Sequence, residues 1–246
     1  MDYAGITDDF FVNVDLQTTL ALPTSRESVL HLCETVQKQF PSMTNFYQRD
    51  DGQYVLEGDR ESGTYRWLEL QSHRLSAGYF NPPSLSDAVD LHRWVVDSSI
   101  YFLGVSPLDV EALDVLFGFN IDYRGNRDAI IARALLAGAP LEAMASEISL
   151  RTTECEPSIV IALDEECATQ ARLSIETRCS NHQVRTGQYD NEPISVYFTV
   201  RRYPRPSEVI DLKRSYDAQR QTCEDLIARA VLPHVIEPIV AAIASA

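Results

Sequence analysis

The chain has 246 residues and a net charge of −15, with 45% of its residues hydrophobic and 23% charged. These values exclude a disordered tail or a fibrous repeat, and the length suffices for one large domain or two small ones with a proper core. The acidity is even, with a net −8 over residues 1–105 and −7 over the remainder. Like-charge repulsion over a Debye length of about 8 Å therefore disfavours DNA, RNA and anionic membranes as direct partners.

In chain order, the first signal is strict alternation over residues 10–22. Val12, Val14, Leu16, Thr18, Leu20 and Leu22 share one face, and Asn13, Asp15, Gln17 and Thr19 the other, as in a long half-buried strand. After Pro23, Thr24 or Ser25 caps a helix with the apolar stripe Val29, Leu32, Cys33, Val36 and Phe40. Strands are expected at 44–48, 53–57, 64–70 and 74–80, the last two joined as a hairpin. Ser84 then caps a long helix to about residue 103. A second alternating strand covers 110–123, with Leu113, Val115, Phe117, Phe119, Ile121 and Tyr123 on one face and Asp114, Gly118, Asn120 and Asp122 on the other. Gly125-Asn126 turns the chain into a helix over 127–136, and 140–146 suits a helical turn. Strands are expected at 149–155, 158–163, 171–177 and 193–202, with a polar connection over 181–192. Ser207 is the expected cap of a final helix to about residue 231.

The expected class is therefore α+β. Two β-α-β(3–4)-α units, 1–105 and 106–246, each carry an antiparallel sheet covered on one face by helices that include a long one. Such units could join edge to edge into one sheet. The element order resembles the duplicated saddle of the TATA-binding-protein fold and the helix-grip fold, in which a long C-terminal helix grips a curved sheet around a lipid-sized cavity. Through the strand ALDVLFGFNIDYRGN (112–126) and the late strand ISVYFTVRRY (194–203), the chain also resembles a sporadically distributed family of bacterial proteins of about this length. That resemblance implies no particular activity.

The motifs that carry well-known chemistry are missing from the sequence. There is no phosphate-binding glycine loop, nucleophile elbow or H-E-x-x-H. Five cysteines include an evenly spaced set, Cys155, Cys167 and Cys179, but no histidine completes a ligand pattern. Reduced cysteines, no metal and no cofactor are expected. The acidic N-terminus has no secretory n-region. The apolar stretch 231–246 carries Glu237, Pro233 and Pro238 and is too short to span a bilayer. Cytoplasmic residence is the expectation, and the tail either docks on its own chain or joins a neighbour.

Three constellations are candidate sites. At 122–128 a strand turns into a helix, where Arg124, Asn126 and Arg127 could receive an anion; the structural reading makes Gly125 a turn and Asn126 a cap. On the sheet face, Arg172, Glu176 and Arg201 could line a pocket, with Arg172 or Arg201 meeting Glu176 across the ladder. The aromatics Tyr65, Trp67, Tyr79 and Phe80 could stack nucleic-acid bases, but in acidic surroundings core packing and cross-strand pairing are the expectation. These features favour a non-enzymatic interaction or scaffold module that binds a protein partner or a second copy of itself. The alternative is a helix-grip-like pocket for a small apolar ligand.

Overall fold

The computed structural model describes residues 5–148, 151–206 and 208–246. Its nine strands are β1 (Asp9–Thr18), β2 (Asn45–Gln48), β3 (Tyr54–Glu57), β4 (Tyr65–Leu70), β5 (Arg74–Phe80), β6 (Val110–Ile121), β7 (Ser158–Ala162), β8 (Thr169–Glu176) and β9 (Ile194–Arg202). They form one antiparallel sheet in the order β2-β3-β4-β5-β1-β6-β9-β8-β7. The two long alternating strands pair with each other at its centre, from Asp9 opposite Asn120 to Thr18 opposite Val110. Outward from that pair the order corresponds on both sides, β5 with β9, β4 with β8 and β3 with β7. The edge-to-edge junction is thus a continuous hydrogen-bonded ladder.

All the long helices cover one face. They are α1 (Arg26–Gln39), α2 (Leu85–Phe102) and a C-terminal helix whose segments are α6 (Leu212–Leu226), a π-helical stretch (Ile227–Ile236) and α7 (Glu237–Ala244). Ser25 and Ser84 cap α1 and α2 by accepting from Ser28 N and Asp87 N. The core lies between helices and sheet, where Val12, Val14 and Leu16 of β1 meet Val115, Phe117 and Phe119 of β6 and Val196 and Val200 of β9. Each such side chain contributes roughly 1.5–3 kcal/mol by leaving water.

In a helix-grip fold a cavity would lie under the long helix. Here buried side chains of the helix point into that interval. Tyr216, Cys223 and Ile227 are fully buried, and Gln219 Nε2 donates to the carbonyls of Leu113 (2.7 Å) and Val200 (2.8 Å) on adjacent strands.

Five local expectations change. The final helix starts at Leu212 with Asp211 as its cap, and Ser207 lies outside the described residues. The helix does not stop near residue 231 but continues to Ala244, so the prolines do not interrupt it. Pro233 has no N–H and its ring crowds the carbonyl four residues back; the wider π-helical turn absorbs this, and Glu237 N donates five residues back to Leu232. By length and composition Leu212–Ala244 could cross a membrane, yet its apolar stripe lies on the sheet and its end packs on α3 (Arg127–Leu135), with Ile239 and Ala242 buried. Residues 151–157 form no strand, 149–150 lie outside the described residues, and 140–148 make a full helix, α4 (Pro140–Ile148). The polar connection contains α5 (Asn181–Thr186), opened by a Ser180–Gln183 capping box.

Candidate functional site

Among the described residues none of the long helices lies on the other face of the sheet, whose side chains fall into cross-strand rows. One row is aromatic: Tyr65, Phe80, Phe11, Gly118 and Tyr197 occupy successive strands β4, β5, β1, β6 and β9. Phe80 stacks on Tyr65 at 5.4 Å and on Phe11 at 5.9 Å, and Tyr197 meets Phe11 edge-on at 6.1 Å. Gly118 is required here, because a Cβ would fall 2.1 Å from the Phe11 ring that lies across it. The next row runs Trp67, Gly78, Asn13, Leu116, Thr199 and Arg172. Within it, Asn13 Oδ1 is buried without a hydrogen-bond partner.

A third row is charged: Glu69, Ser76, Asp15, Asp114, Arg201 and Gln170. It places two aspartates directly opposite each other on the central strand pair. Among the described residues, Asp114 makes an ion pair and Asp15 feels only the more distant charge of Arg74. Arg201 grips Asp114 with two bonds, Nε to Oδ1 at 2.7 Å and Nη2 to Oδ2 at 2.5 Å, which pushes the arginine pKa still higher. Gln17 Nε2 adds a bond to Asp114 at 3.0 Å. Asp15 is left with the Ser76 hydroxyl, which donates at 2.5 Å. Burial first, and then the neighbouring Asp114 and Glu69 charges, raise the Asp15 pKa above its ordinary value, against the Ser76 bond and Arg74.

A hollow of about 520 Å³ opens over this row, lined by Asp15, Asp114, Arg172, Glu176, Tyr197 and Arg201, and it reaches Val160 on β7. Five adjacent strands, each about 4.8 Å from the next, contribute to it, so the face is concave. A second polar hollow of about 720 Å³ adjoins it through Arg201 and extends past Gln17 and Arg74 to the β2–β3 turn at Asp51.

All three residues expected to line a sheet-face pocket, Arg172, Glu176 and Arg201, do line it. Their pairing differs from expectation. Arg201 bonds Asp114, while Glu176 accepts from Arg178 Nη2 at 3.0 Å and Tyr197 Oη at 3.2 Å, because the register sets Glu176 opposite Ser195. The aromatics divide. Tyr65, Trp67 and Phe80 stand on the open face, and Tyr79 points into the core with Arg66 stacked 4.4 Å from its ring.

At the β6–α3 turn no free anion cradle assembles. Arg127 is wholly buried, and its guanidinium donates to the backbone carbonyls of Thr177 (2.5 Å), Asp190 (3.1 Å) and Arg178 (3.3 Å). Asn126 caps α3 through Ala129 N and donates to Thr152 O. Of the three expected anion ligands only Arg124 is exposed. Among the described residues, no three His, Cys, Asp or Glu side chains converge as metal ligands.

The reading of the sequence placed Asp15 and Asp114 on the polar faces of their strands without singling them out. An aspartate in the middle of the polar face of each long strand was the available signal, and only the register makes them a pair. Like charges directly opposite each other on a ladder destabilise it, so Asp15→Asn is expected to stabilise the fold by about 1 kcal/mol. The sign follows from linkage. A carboxyl whose folded pKa is raised binds more protons folded than unfolded, so its contribution falls as pH rises from 3.8 through the folded value. Urea denaturation of both proteins should converge below that range and differ at pH 7.

No family model matches the chain, and no curated protein matches it.

Proposed function

We propose that the protein is a binding module whose concave sheet face receives a basic segment of another protein. The observation that carries this reading is the in-register pair Asp15 and Asp114, served by a single arginine. A guanidinium or ammonium group arriving beside Asp15 would relieve the carboxylate repulsion. The stacked row of Phe11, Phe80 and Tyr65 offers a flat apolar rest for the remainder of the segment. The overall charge of −15 would speed the approach of a basic partner. Holding a carboxylate where it costs stability is the kind of exchange found at functional sites.

Selection from a random fifteen-residue peptide display library tests this, with wild type as bait and Asp15→Asn as counter-bait. The expected outcome is a consensus rich in arginine or lysine with an aromatic neighbour, whose binding weakens at least tenfold on Asp15→Asn. Peptides without a basic residue, or with equal affinity for the variant, would remove the reading. The unequal partners of the two carboxyls also favour a second reading, acid–base chemistry on a small polar substrate in the same hollow. Native mass spectrometry separates the two through an added mass of a few hundred daltons lost on Asp15→Asn.

A further inference from the structure

The two ends of the sheet do not match. On one side β3 is followed by a further strand, β2; on the other its counterpart β7 is the last, with β8 on one flank and no strand on the other among the described residues. The preceding segment, expected as a strand over 149–155, is held elsewhere in its described part. Thr152 O accepts from Asn126 Nδ2, and Cys155 N donates to Asp128 Oδ1, tying residues 151–157 to the start of α3.

The bare edge is apolar and unprotected. Ile159, Val160 and Ile161 are 54%, 54% and 53% exposed, so both faces of the strand meet solvent. No lysine, internal proline or bulge blunts it, the devices by which edge strands usually avoid partners. The direction of its free hydrogen-bonding groups follows from the bonds that flank the hairpin. Leu163 N donates to Thr169 O, and Ile175 N donates to Pro157 O. By antiparallel alternation Ile159 and Ile161 turn their N–H and C=O toward β8, and Ser158, Val160 and Ala162 turn theirs outward.

Charge decides what fits. From residue 152 to 171 the chain has no lysine or arginine, while Glu154 and Glu156 precede β7 and Asp164, Glu165 and Glu166 follow it; Arg205 pairs with Asp164 and Glu166, and both ends of the strand remain net acidic. A second copy pairing antiparallel across β7 must set outward residues against outward residues. Every such register near Val160 brings the glutamates before one strand opposite the acids after the other, an unfavourable arrangement. A partner strand with basic flanks meets opposite charge at both ends.

We propose that the outer edge of β7 is a strand-addition site, which takes an extended, basic-flanked apolar segment of another protein as the tenth strand of the sheet. The outward backbone groups of this edge are distinct from the aspartate pair, but the Val160 side chain also borders the hollow over that pair, so an Asp15→Asn comparison is what tells the two sites apart.

The probe is a fluorescent, acetylated and amidated peptide RKVTVTVKR, titrated by anisotropy at about 0.05 M salt. Wild type should bind it, and Val160→Pro should bind at least tenfold more weakly at an unchanged melting temperature. Val160 gives no N–H to β8, and proline is tolerated on that side of an edge strand. The charge-reversed EEVTVTVEE should bind at least tenfold more weakly than RKVTVTVKR. Independently of any variant's folding, RKVTVTVKR should slow amide exchange at Ser158, Val160 and Ala162 in wild type. No binding, equal binding by Val160→Pro, equal binding of the reversed peptide, or no protection at those amides each overturns the proposal. Loss of binding on Asp15→Asn would overturn it too, by moving the peptide to the open face. A dimer in sedimentation that Val160→Pro dissolves would overturn it by assigning the edge to a second copy.

Discussion

Arg127→Met should destabilise the protein by about 3–5 kcal/mol, the cost of breaking a buried, hydrogen-bonded charged site. The guanidinium has no solvent exposure and holds three carbonyls from the 177–190 region, at 2.5, 3.3 and 3.1 Å for Thr177, Arg178 and Asp190. Methionine fills much of the volume but donates nothing, so the buried carbonyl of Thr177 and the part-buried carbonyls of Arg178 and Asp190 lose their partner together. In urea the midpoint should fall by roughly 1–2 M with little change in slope. Arg127→Lys should recover only part of the loss, since an ammonium group cannot reproduce the planar fork that reaches all three carbonyls. A midpoint within about 0.2 M of wild type for Arg127→Met would show that the 177–190 region re-forms around water and that the clasp is dispensable.

Acidification should destabilise the protein steeply through His92. This side chain sits wholly buried between α2 and α6, with Nδ1 3.0 Å from Tyr216 Oη, and burial pushes its pKa down to about 3. In the unfolded chain the same imidazole takes up a proton near pH 6.5. Between pH 6.5 and 3 the unfolded state therefore binds more protons, and stability falls with falling pH. The slope approaches 1.4 kcal/mol per pH unit, several kcal/mol over the whole window. Asp15 works in the opposite sense because its folded pKa is raised, so the decisive measurement is a difference. Stability against pH for wild type and His92→Asn should diverge at neutral pH, where the neutral imidazole packs best, and converge toward pH 4. Parallel curves would show that His92 is protonated inside the fold and has found an acceptor there.

The strands were largely legible because a half-buried strand writes its two environments into alternate residues. Val12, Val14 and Leu16 against Asn13, Asp15 and Gln17 identify β1 without any tertiary knowledge, and the same holds for Leu113 to Ile121. The serine caps of α1 and α2 were legible because capping is local. Residues 151–155, the described part of an expected strand, form none because the backbone partners of Thr152 and Cys155 are Asn126 and Asp128, about 27 positions back in the chain. No local pattern reports a bond of that separation. The C-terminal helix was cut short because proline usually ends a helix, whereas a π-helical turn carries the chain past Pro233 and lets Ile239 and Ala242 reach α3.

The candidate site divides along the same line. Arg172, Glu176 and Arg201 were visible as polar residues on strand faces, since facing is set by parity along one strand. Their partners were not, because pairing depends on which strands adjoin and in what register. The sequence by itself determined an acidic α+β chain with two long alternating strands and helices for one side of a sheet, all consequences of short-range periodicity, capping and charge. Only the tertiary structure decided that those two strands lie side by side, that Asp15 thereby faces Asp114 while Arg201 is held by Asp114 alone, and that β7 is left as an open edge. A register is a relation between segments about 100 residues apart, fixed by the packing of the buried face and not by any residue's immediate neighbours.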